Sequence, residues 1–263
     1  MLQYFSESSL QQFFTEIFLI LRETDPKLTE VWCELSNISF LEKFTKSELI
    51  GYLANFEFIS LEKGNYIDYI VINKILFIIE CINFLTYDIK DLSEVLDYNG
   101  FEALIKEILL KNNYVSITNF RFSSISQLEA PASQKRFEVD VIGIYLKCIL
   151  IIDAKQWKRK DSFNSLNKAA NLQFQRVRSL SQNPEIFSRL ISSILGNLPN
   201  LKKHLPFTLI PMMVTLEDNS IKLNENQVPL VSIYEFNAFL HELPKNLHYF
   251  RTVQVNKVNL QQG

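Results

Sequence analysis

From residue 98 onward, apolar positions fall into two periods, one helical and one strand-like. Phe101, Leu104, Ile105, Ile108 and Leu109 recur at three- and four-residue spacing after the turn dipeptide Asn99-Gly100, which predicts a helix closed by Lys111-Asn112-Asn113. Tyr114–Phe122 alternates and predicts a first strand, followed by a Ser-rich polar loop over 123–134. Arg136–Arg159 then carries two strand-like runs: Phe137, Val139 and Val141 in the first, Cys148–Ile152 in the second. Leu166, Ala169, Ala170, Phe174, Val177 and Leu180 predict a long helix ending near Gln182, and Pro184 opens another to Leu195. Phe207–Leu216 reads as a buried strand in which Pro211 requires a bulge or an edge. Val228–Ile233 predicts a last core strand, and Tyr234–Leu243 a helix stopped by Pro244, with a short strand in the final residues. Helix, three strands, two helices, two strands and a helix make a mixed α/β sandwich, with helices on a central sheet.

The first 97 residues show a different pattern. A cap at Ser8 or Ser9 precedes Leu10, Phe13, Phe14, Ile17, Phe18 and Leu21, an amphipathic helix ending near Pro26. Short helices are expected over Leu28–Leu35 and, from the capping box of Thr45 with Glu48, to about Asn55. After Gly64-Asn65 a long apolar helix is expected to about Thr86, then a short acidic one over Asp88–Leu96. The expectation is therefore an all-helical N-terminal region, 1–97, and an α/β domain, 98–263.

Charge separates the same two parts. Residues 1–100 hold 16 acidic and 7 basic side chains, and residues 101–263 hold 13 acidic and 20 basic. The second part suits a nucleic-acid partner and the first does not. The acidic helices are expected to pack on the α/β domain or on a protein partner. Three cysteines, Cys33, Cys81 and Cys148, are widely spaced in apolar surroundings and predict reduced core thiols in a cytoplasmic protein. Tyr69–Leu85 contains Lys74 and Glu80, and fits a buried helix better than a membrane span.

Carboxylates interrupt the two central strands. Asp140 lies among Val139 and Val141, and the run Cys148–Ile152 ends in Asp153-Ala154-Lys155. Asp153 and Lys155 share a face, because side chains alternate along a strand. A carboxylate and an ammonium at the end of a buried strand are costly unless they are paired or bind something. Two hard carboxylates on neighbouring strands suit Mg²⁺ or Mn²⁺ with retained waters. A lysine beside them can orient a water and offset charge on a phosphoryl oxygen. An Asp–Lys salt bridge at a hairpin end is the plainer alternative.

Asp140, followed after twelve residues by Asp153-Ala154-Lys155, resembles the PD-(D/E)XK nuclease superfamily with its restriction endonuclease-like fold, in the style of the Mrr-like, NERD-like and archaeal resolvase branches. Val139 stands where that motif has proline. The resemblance, covering roughly 98–240, implies a metal-dependent DNA nuclease. Asp140, Asp153 and the Ala154 carbonyl would hold Mg²⁺ or Mn²⁺, and Lys155 would be catalytic. Phe101-Glu102 matches a helix start that brings a further carboxylate, Glu102, to the metal. Gln173 (or Gln175) and Arg176 match the helix residues aimed back at the site. Lys158, Arg159 and Lys160, beside Trp157, would meet the phosphate backbone, and with Arg176 form the expected DNA contact. Structure-selective members of the family often work as dimers, so a homodimer is a further expectation. No membrane contact is expected. The competing function is a nucleic-acid-binding or scaffold protein that keeps the fold without the chemistry.

Overall fold

The computed structural model describes residues 6–84, 94–125, 134–156, 163–196, 205–216 and 222–258. The chain is α/β and divides into two compact units, Met1–Leu104 and Ile105–Gly263. The division falls seven residues beyond the expected boundary, inside a helix.

In the first unit, α1 (Glu7–Arg22) buries Phe13, Phe14, Ile17, Phe18 and Leu21, with Ser6 as its cap rather than Ser8 or Ser9. α2 (Lys46–Leu53) begins with the expected capping box, in which Thr45 and Glu48 bond reciprocally. The expectation of an all-helical region is overturned. Three strands, β1 (Glu30–Glu34), β2 (Ile59–Lys63) and β3 (Asp68–Asn73), form an antiparallel sheet in the order β1-β3-β2. The physical reason is period. Val31 and Cys33 are buried while Glu30 and Trp32 are exposed, and Ile70 and Ile72 are buried within a β-branched run. Tyr69–Leu85 is mostly apolar on both sides of Asn73-Lys74, so it read as one helix rather than a strand that ends at Asn73 and a helix, α3 (Lys74–Phe84), that starts there. The three strands form their own sheet and add none to the larger one.

Helix α4 (Tyr98–Lys111) spans the division. The second unit holds β4 (Val115–Ile125), β5 (Gln134–Tyr145), β6 (Cys148–Lys155), α5 (Phe163–Ser181), α6 (Pro184–Leu195), β7 (Phe207–Thr215), β8 (Leu230–Ser232), α7 (Ile233–Asn246) and β9 (Val253–Val255). Strands β4, β5 and β6 form an antiparallel meander, and β7 joins β6 in parallel. β8 pairs in parallel with β7 at Met213–Thr215, and β9 pairs antiparallel with it at Phe207–Leu209. The interval between those two ladders contains Pro211, whose ring removes a donor where β7 lacks a strand partner on that side among the described residues. Pro211 thus sits at a local edge inside a central strand. Pro244 is a correction: it lies within α7 and does not stop it.

One face of the sheet packs Ile142, Ile144, Ile149, Ile151 and Leu209 against Val177 and Leu180 of α5 and Phe187, Leu190 and Ile191 of α6. On β5 that same core takes Val139 and then Ile142, so the inward side changes from odd to even positions at Asp140. The β4–β5 ladder skips one position there, between Thr118↔Val141 and Phe120↔Val139. Asn119, opposite Asp140, takes a left-handed φ of 58°, a conformation that asparagine tolerates better than most residues.

Candidate active site

Asp140 and Asp153 stand where two strands part. The last pairs of the β5–β6 ladder run to Val141↔Ile152. Asp140 and Asp153 are the residues next beyond that pair on their strands. Both carboxylates are buried, Asp153 at 2% and Asp140 at 8% exposure. Asp140 Oδ2 accepts a hydrogen bond of 2.8 Å from the Ala154 backbone N–H, which ties the end of β6 to β5 after the ladder stops.

A carboxylate this deep requires compensation. Lys155 Nζ lies 2.9 Å from Asp153 Oδ2, as the shared strand face predicts. Arg176 Nη1, from α5, lies 2.5 Å from Asp153 Oδ1 and 3.0 Å from Gln173 Oε1. Gln173 is fully buried and donates through Nε2 to the Ile151 carbonyl at 2.6 Å. Lys155 and Arg176 keep 23% and 24% of their side-chain surface exposed. Asp153 therefore faces two partly exposed cations, and the Asp140–Ala154 bond completes a network that joins β5, β6 and α5.

Of the residues singled out in the sequence, Asp140, Asp153, Ala154, Lys155, Gln173 and Arg176 come together. Glu102 is buried at 3% on α4, on the N-terminal side of the division between the units. Lys158, Arg159 and Lys160 lie outside the described residues, as does Trp157. The sequence expected Arg176 both aimed back at the site and on DNA, and in the fold its guanidinium meets Asp153. Asn119 was not singled out at all.

Among the described residues, no group of three or more His, Cys, Asp or Glu side chains is placed to hold a metal ion. The donors on β5 and β6 number two carboxylates and the Ala154 carbonyl. They are all hard oxygens, and Mg²⁺ commonly takes one or two protein carboxylates and keeps its waters, so the chemistry of the donor set fits that ion. Thiol chemistry is disfavoured. Burial raises the Cys148 thiol above its ordinary pKa and pushes Cys33 up to about 11, which suppresses thiolate.

No protein-family model matches this chain, and no curated protein does. Among solved structures, protein VC1899 from Vibrio cholerae is similar at 15% identity with a TM-score of 0.31, over 91% of this chain and 52% of that one. The chain thus spans about half the length of that protein. At this score the likeness supports no conclusion about fold or activity. No helix among the described residues is long and apolar enough to cross a membrane.

Proposed function

We propose that the second unit is a metal-dependent nuclease that hydrolyses phosphodiester bonds in DNA. The observation that carries the reading is the buried pair Asp140 and Asp153 just beyond the β5–β6 ladder, with Lys155 beside Asp153. Further support comes from the resemblance of these residues to the PD-(D/E)XK motif, and from the helix, three-strand meander, helices and parallel strand around them.

Asp140, Asp153 and the Ala154 carbonyl would hold Mg²⁺ or Mn²⁺. The bound ion would supply Lewis acidity toward a phosphoryl oxygen. Lys155 keeps its ammonium at the partly exposed edge, where it would orient the attacking water and stabilise charge in the transition state. Arg176 and Gln173 would fix the Asp153 carboxylate on its other side. The basic run Lys158-Arg159-Lys160 would contact the phosphate backbone, in a protein acting in the cytoplasm, with a homodimer or an acidic-unit partner as further proposals.

One observation favours a second reading, a nucleic-acid-binding or scaffold protein without chemistry. Both Asp153 oxygens already have cationic partners, so the network is satisfied by the chain itself. Labelled linear, nicked, branched and single-stranded DNAs incubated with Mg²⁺ separate the two. Cleavage of any of them supports the nuclease, and intact DNA throughout supports the scaffold.

A further inference from the structure

Strand β1 is an edge of the first unit's sheet. It pairs with β3 from Glu30↔Asn73 to Glu34↔Tyr69, and no strand among the described residues pairs with its other side. The direction of its backbone groups follows from the ladder. Lys74 N–H donates to the Thr29 carbonyl at 2.9 Å, which makes Thr29, and by alternation Val31 and Cys33, the positions bonded to β3. The N–H and C=O of Glu30 and Trp32 therefore point to the free edge, where they have no hydrogen-bond partner among the described residues.

Glu30, Trp32 and Glu34 also share one face of the sheet, while Val31 and Cys33 point to its buried side. Trp32 is 62% exposed between the two carboxylates. Beside the edge, Glu16, Leu19, Ile20 and Glu23 fall at three- and four-residue spacing on one side of α1. This stripe and residues 31–34 line a cleft of about 910 Å³, so the backbone edge of β1 forms one of its walls. Among the described residues, no Lys, Arg or His lines it. Glu16 is committed to the fold, accepting bonds of 2.9 Å from the Ser39 hydroxyl and the Phe40 N–H. Glu23 has Arg22 Nε at 3.8 Å. Glu34 takes the Ser36 hydroxyl at 3.4 Å and has no cationic partner among the described residues.

We infer that this edge takes an extended cationic segment of a protein partner as a further antiparallel strand beside β1. Its backbone would bond to the free groups of Glu30 and Trp32, and its side chains on the Trp32 face would set Lys or Arg between the carboxylates and over the indole. The charges decide between occupants. A second copy pairing through the same edge would set these carboxylates against one another, and a nucleic acid would bring phosphates to them. A cationic segment turns the same groups into attraction, while they keep other strands off the edge. The inference gives the acidic unit a partner of stated chemistry and does not rest on the nuclease reading.

Pairing fixes which peptide groups matter. A residue directly opposite Trp32 shares its face and points its own N–H at β1. The test is fluorescence anisotropy on the full chain in EDTA, with a short labelled peptide that alternates lysine with valine. Companion peptides carry N-methyl groups on the lysine nitrogens, N-methyl groups on the valine nitrogens, or glutamate in place of lysine. Wild type should bind the lysine peptide, and N-methylation at lysine should weaken it at least about tenfold more than N-methylation at valine. Trp32→Ala should weaken it roughly tenfold. Glu30→Lys/Glu34→Lys should lose the lysine peptide and gain the glutamate one, which a merely misfolded protein would not do. A wild type that leaves the lysine peptide unbound, equal effects of the two methylations, or unchanged affinity in both variants overturns the inference. So does a dimer, seen by sedimentation, that Glu30→Lys/Glu34→Lys dissociates, since a second copy would then hold the edge.

Discussion

The carboxylate of Asp140 accepts a hydrogen bond of 2.8 Å from the backbone N–H of Ala154. It therefore has a structural task on β6 as well as the charge proposed for an ion. The two tasks separate by mutation. Asp140→Asn keeps an acceptor and should fold with nearly unchanged stability, while losing divalent-ion affinity. Asp140→Ala leaves the amide without that partner and should also lose about 1–3 kcal/mol in urea unfolding. Equal stability for the two variants would show that the bond does not matter to the fold.

Arg176 holds one oxygen of Asp153, so it should compete with any cation bound there. Arg176→Gln is expected to tighten Mg²⁺ binding by about 1 kcal/mol, roughly fivefold, as read by calorimetry without DNA. The same variant should lose stability on the order of 1–2 kcal/mol, because a charge-assisted hydrogen bond disappears. Weaker Mg²⁺ binding would mean that Arg176 orients Asp153 for the ion instead of opposing it.

Asn119 turns the β4 chain at the position facing Asp140. A β-branched residue there must adopt a left-handed φ, so Asn119→Val should cost about 1–2 kcal/mol, while Asn119→Gly should be tolerated. Thermal unfolding of both variants checks this. A Val variant as stable as the wild type would place the turn elsewhere in solution.

In the first unit, Lys74 is fully buried and donates to the carbonyls of Asp25 and Val95. Burial lowers its pKa, against the pull of Asp25 and Asp97. The folded chain then binds fewer protons than the unfolded chain between that lowered value and the ordinary lysine value near about 10.4. Stability from this group should rise with pH across that window, and the penalty is fully present below it. Lys74→Met removes the slope, so the difference in urea midpoint between wild type and variant should grow in favour of the wild type as pH rises. A difference that stays constant with pH would show that Lys74 keeps its ordinary titration.

The second unit was legible because its periods are clean. α6 begins at Pro184 and ends at Leu195 as its sequence predicts, and β6 stops at Lys155. The first unit was not, because Tyr69–Ile72 and the helix after it are both strongly apolar, and the Asn73-Lys74 interruption at the switch was read as part of one helix. In the site, the placement of Asp153 and Lys155 on one strand face followed from alternation alone. Burial of Gln173 was not foreseen, because a polar side chain was left out of the stripe of Leu166, Ala170, Val177 and Leu180 into which its spacing falls. That Arg176 is aimed at the site was expected from the resemblance alone, whereas its particular bond to Asp153 depends on how α5 crosses the sheet, which spacing along one helix does not determine.

Lys155 gives the most direct test of the central claim, because it should serve the chemistry and not the ion. The measurement is single-turnover cleavage of labelled DNA in Mg²⁺ by wild type and Lys155→Ala, paired with Mg²⁺ titration of each. Wild type should cut. The variant should cut at least about a hundredfold more slowly, as expected for loss of a group that stabilises transition-state charge, while binding Mg²⁺ no more weakly than wild type. Wild-type cleavage rates in Lys155→Ala, or a wild type that cuts no DNA under these conditions, would contradict the account.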